Sequence, residues 1–104
     1  MSTSDDDVNS VTLLSNRGET SRFIQVKIDE EGDLIFSCQD VGKLPKQLYD
    51  DEDYEFWVTV RSGDKDRLLL HLIESIYKGN FFAVDDFRKF LEPRGIPFEW
   101  NVWT

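Results

Sequence analysis

The chain has little of what most chemistry needs. It holds one cysteine and one histidine, so it can form no internal disulfide, and a zinc site would lack most of its usual ligands. No glycine-rich loop for phosphates is present, and no serine, cysteine, histidine and aspartate set for nucleophilic catalysis. Positive charge is scarce as well: 12 basic residues stand against 21 acidic ones, a net charge of −9. A cationic footprint for nucleic acid or anionic lipid is therefore not expected. No apolar run approaches the roughly 20 residues of a membrane span. The start, MSTSDDDVNS, lacks the basic and apolar regions of a secretory signal. These features lead to the expectation of a soluble, cytoplasmic protein with no cofactor and no metal.

What the chain does have is aromatic. Eight Phe, three Trp and three Tyr offset an apolar share of 39% across 104 residues, since large rings bury much area each. The length fits one domain with its own core. Residues 1–9 read as a disordered acidic leader and 10–104 as a single domain.

Hydrophobic alternation predicts the strands. A short strand is expected at Val11–Leu14, with a turn over Ser15–Gly18. In Phe23–Ile28, Ile24, Val26 and Ile28 fall on one face, with Gln25 and Lys27 on the other. Asp29–Asp33 supplies a turn around Gly32, and Leu34–Cys38 returns with Leu34, Phe36 and Cys38 on one face. Cys38 reads as a small buried hydrophobe. The stretch Gln39–Asp53 breaks the pattern; Val41, Leu44, Leu48 and Tyr49 have the spacing of a helical turn. Alternation resumes over Tyr54–Val60, with Trp57 among the polar positions.

A helix is expected from Ser62 or Asp64, as cap, to Lys78. Leu69, Leu72, Ile73 and Ile76 form its stripe, and Gly79 stops it. Asn80 would cap a second helix carrying Val84, Phe87, Phe90 and Leu91, with Asp85 and Lys89 paired on its wet side. Pro93 and Gly95 end it, and 97–103 alternates as a last strand. The order β-β-β-α-α-β, with one extra N-terminal strand as an option, predicts an α+β two-layer sandwich. Its mainly antiparallel sheet has four to five strands, with two helices on one face.

Three segments together, Gly32–Gly42, Tyr54–Trp57 and Gly95–Trp100, resemble those of a family of small acidic bacterial proteins of uncharacterised role. The resemblance spans roughly Gly32 to Trp103. It implies a bacterial cytoplasmic protein with a compact α+β fold, and it carries no functional residue with it.

The remaining signal is the run LYDDEDYEFWV. Asp50, Asp51, Glu52, Asp53 and Glu55 stand beside Tyr54 and Trp57. One reading is a solvated turn whose charges guard a sheet edge. The other is a binding lip: carboxylates pair with Arg and Lys of a basic partner while the rings anchor it. The expected function is an acidic protein-binding module of the immunity or inhibitor type, acting on a basic protein such as a nuclease toxin, and not an enzyme. The alternatives are a homodimeric domain using its exposed aromatics and, further off, a small enzyme. His71, on the wet side of its helix, reads as a solvated residue rather than a base.

Overall fold

In each strand, odd and even positions carry different chemistry, and strand pairing carries that difference across the sheet. The computed structural model describes residues 9–42 and 53–103. The leader up to residue 8 lies outside the described residues, as do Leu44, Leu48 and Tyr49 of the expected helical turn; its Val41 lies not in a helix but in a strand, opposite Ser21 and Asp53. Four strands form: β1 (Ser10–Asn16), β2 (Thr20–Ile28), β3 (Leu34–Gly42) and β4 (Asp53–Val60). They lie in the order β1-β2-β3-β4, each antiparallel to the next. With two helices the fold is α+β, as expected.

The pairing β2–β3 runs unbroken from Thr20 opposite Gly42 to Ile28 opposite Leu34. Its turn is built by Asp29, whose Oδ1 accepts the N–H groups of Glu31 and Asp33 at 3.0 and 2.9 Å. Gly32 takes φ +82° there, where a Cβ would be strained. At the far end Gly42 has φ +129°, and a Cβ on it would stand 2.1 Å from the Glu19 carbonyl oxygen. Both strands are longer than expected, because the polar stretches Thr20–Arg22 and Gln39–Gly42 pair with each other.

The register places Ile24, Cys38 and Phe56 side by side, and likewise Val26, Phe36 and Val58, on one apolar face. Gln25, Ser37 and Trp57 meet on the opposite, largely polar face. Cys38, 6% exposed, sits at the centre of the apolar face, as its sequence context predicts.

The described residues fall into two compact units that divide after Arg67. A 3-10 turn at Ser62–Asp64 leads into helix α1 (Lys65–Tyr77), which spans that division. Asp64 Oδ1 accepts from Arg67 Nη2 at 3.3 Å within this first turn. The Ser62 N–H is accepted by Asp33 Oδ1 at 2.8 Å, 29 positions earlier. In the second unit, Gly79 (φ +81°) follows the end of α1. Asn80 then accepts the Phe82 N–H at 2.9 Å and donates to Asp86 at 2.8 Å, fixing the start of α2 (Ala83–Leu91). Tyr77 and Phe87 meet edge to face, centroids 6.0 Å apart, and tie the two helices together. The close ion pair of Asp85 is with Arg88, at 4.0 Å, rather than with Lys89 as expected.

The C-terminal alternation does not become a strand. A 3-10 turn at Glu92–Arg94 and left-handed Gly95 end α2, and residues 96–103 have no regular secondary structure. Trp100 lies instead against the Arg88 guanidinium, 4.0 Å from carbon to ring centroid. The fourth strand of the sheet is thus the N-terminal one.

Candidate functional site

Among the described residues two carboxylates of the sheet unit are buried, and the sequence did not single them out as buried. Asp40, 4% exposed, faces Arg22 across the β2–β3 pairing. The guanidinium donates Nε to Oδ1 and Nη2 to Oδ2, both at 2.7 Å, a two-pronged pair. That bond holds the Asp40 carboxyl below the usual carboxylate range, against the opposing effect of burial. Asp33, 5% exposed, accepts from the Ser62 N–H and from Arg61 Nη1 at 2.9 Å. The Ser62 bond first, then Arg61, lowers its pKa.

Cys38 Sγ lies 3.8 Å from Asp40 Oδ1. Burial above all, then the Asp40 charge, pushes the thiol pKa up, so the group stays protonated and is a poor nucleophile. His71 Nδ1 is 3.4 Å from Glu74 Oε1 on an exposed turn of α1. Among the described residues no group of three or more His, Cys, Asp or Glu could hold a metal ion. No helix among them is long and apolar enough to cross a membrane.

The predicted lip is divided by the pleat. Asp50, Asp51 and Glu52 lie outside the described residues. Asp53, Glu55 and Trp57 alternate along one face of β4, an edge strand of the sheet among the described residues. Tyr54 points to the other face, opposite Asp40 in register and 5.6 Å from the Phe56 ring. Trp57 is 58% exposed. It shares a shallow depression across the polar face with Phe23, Lys27, Gln39 and Glu55. Gln39 Nε2 donates to Asp53 Oδ1 at 3.3 Å, fixing one carboxylate beside that depression.

Phe23 is the aromatic member that sequence reasoning left out. Its signal was present: it is odd in a strand whose even positions are Ile24, Val26 and Ile28. A large ring at an odd position belongs to the polar face with Gln25 and Lys27. The surface therefore offers two rings, two exposed carboxylates, amide groups and the Lys27 ammonium on one sheet face. It can meet a cation by charge and by ring face, but it encloses no substrate. No family model, curated protein or solved structure matches this chain.

Proposed function

We propose that the chain is an acidic protein-binding module of the immunity or inhibitor type, which neutralises a basic partner such as a nuclease toxin. The observation that carries this reading is the alignment of Asp53, Glu55 and the exposed Trp57 on one face of an edge strand. Asp50, Asp51 and Glu52 precede that strand in sequence and extend its negative charge. In this mechanism the carboxylates take the place of substrate phosphates in the partner's cationic groove. Trp57 and Phe23 bury against the stems of its Arg or Lys side chains. The net charge of −9 speeds encounter and makes association sensitive to salt. Tyr54 has no part in this contact, because it lies on the other face. The role is binding rather than catalysis.

The test is retention of partners from bacterial lysate at low and moderate salt. Wild type is run beside a variant with residues 50–53 changed to Asn and Ser, and beside Trp57→Ala. Wild type should hold a basic nuclease at low salt and suppress its activity, and both variants should lose it while keeping their circular dichroism. An empty wild-type lane, or the same protein held by all three chains, overturns the proposal.

A further inference from the structure

On the polar face of the sheet, strand register sets the side chains out as a grid. One row runs Phe23, Gln39, Glu55 across β2, β3 and β4, and the next runs Gln25, Ser37, Trp57. The two rings thus occupy diagonal positions, on strands held about 10 Å apart by the intervening β3. Phe23 is 38% exposed and Trp57 58%. Ser37 and Gln39 form the floor of the depression between them.

One corner of this grid gathers acceptors beside a ring. Gln39 gives its Nε2 to Asp53 Oδ1 at 3.3 Å, and the other end of its amide is an acceptor. Glu55 stands directly opposite Gln39 in register and is exposed. Trp57 follows two residues later on the same face of β4. Lys27, the cation of this depression, belongs to a third row, opposite Ile35 rather than beside Glu55. Its charge discourages a second cation at that end and leaves the Glu55 corner acidic.

We propose that this corner takes an arginine side chain of the basic partner, in preference to lysine. A guanidinium is planar and weakly hydrated. It lies flat on the Trp57 ring while its forked N–H groups donate to the Glu55 carboxylate and the Gln39 amide oxygen together. Its methylene stem crosses Ser37 towards Phe23. A lysine ammonium is a compact, strongly hydrated point charge with no flat face to stack. The site is that of the proposed basic partner, and the preference for arginine rests on that reading.

Triarginine and trilysine peptides carry equal side-chain charge and serve as probes. Each is titrated at low salt into the full, nitrogen-15-labelled chain, following the Trp57 indole N–H by NMR; Trp57→Phe assigns that signal. Triarginine should move the signal to saturation and bind about tenfold more tightly than trilysine. Glu55→Gln should abolish the preference. Glu30→Gln removes the same charge from the exposed β2–β3 turn and should keep it. Circular dichroism confirms that both variants fold. Equal affinity for the two peptides overturns the proposal, as does an unmoved Trp57 signal or an equal loss of preference in Glu30→Gln. Equal affinity would still leave a basic partner held by net charge. An arginine preference with no protein retained from lysate would count against the toxin-neutralising reading alone.

Discussion

The β2–β3 hairpin and the edge strand β4 use the same carboxylate chemistry to opposite ends. In the hairpin, Asp33 and Asp40 are almost fully covered and each is bound by a named cation. Along β4, Asp53 and Glu55 stand exposed beside a half-exposed tryptophan. Burial raises the cost of an unpaired charge, so the hairpin acids must be paired and become structural. On the edge strand solvent screens the charge, so it contributes little to folding. Position in the sheet, more than local sequence, decides which kind of acid each one is.

The comparison can be broken from the hairpin side first. Gly42→Ala should be the most damaging single change, costing about 3 kcal/mol, because it forces a left-handed alanine against the Glu19 carbonyl. Urea unfolding reads this directly, and a loss under half that size would mean the backbone there relaxes freely. Asp40→Ala should cost about 2 kcal/mol, since it removes a charged hydrogen-bond pair and leaves Arg22 to find other contacts. The half-exposed Arg22 keeps this below the cost of breaking a fully buried pair. Arg61→Ala should lower the unfolding midpoint by less than Asp40→Ala, because the Ser62 N–H still holds Asp33. Neutralising residues 50–53 together with Glu55 should change stability by no more than about 0.5 kcal/mol. A large loss there would make the lip structural and erase the distinction.

The same contrast marks what the sequence could disclose. Period-two alternation located β2, β3 and β4, and period 3.6 located both helices, because these signals are local. The anchoring of Asp33 on Ser62 joins residues 29 positions apart, and the Asp40–Arg22 pair joins residues 18 apart. Nothing near Asp33 or Asp40 in sequence distinguishes them from the chain's other acids. The last segment failed for a related reason. Alternation over 97–103 shows which residues could share a face, not whether a strand is there to pair with. Trp100 is held by Arg88 of α2 instead. At the candidate site, alternation separated Tyr54 from Trp57 correctly, but treating the acidic run as one lip overlooked what that separation means for binding.

The most direct test of this division is the pH dependence of stability for wild type beside an Asp33→Asn, Asp40→Asn double variant. Both carboxyls have pKa values below the unfolded value of 3.8. Below that value the unfolded chain binds protons that the folded one resists, so their contribution is present above pH 3.8 and is lost as pH falls through the folded pKa values. Wild type should hold its stability down to about pH 4 and then lose it steeply, while the double variant starts lower and falls with a shallower slope. Equal slopes in the two chains would contradict the account, and would place the acid-sensitive carboxylates elsewhere than in the hairpin.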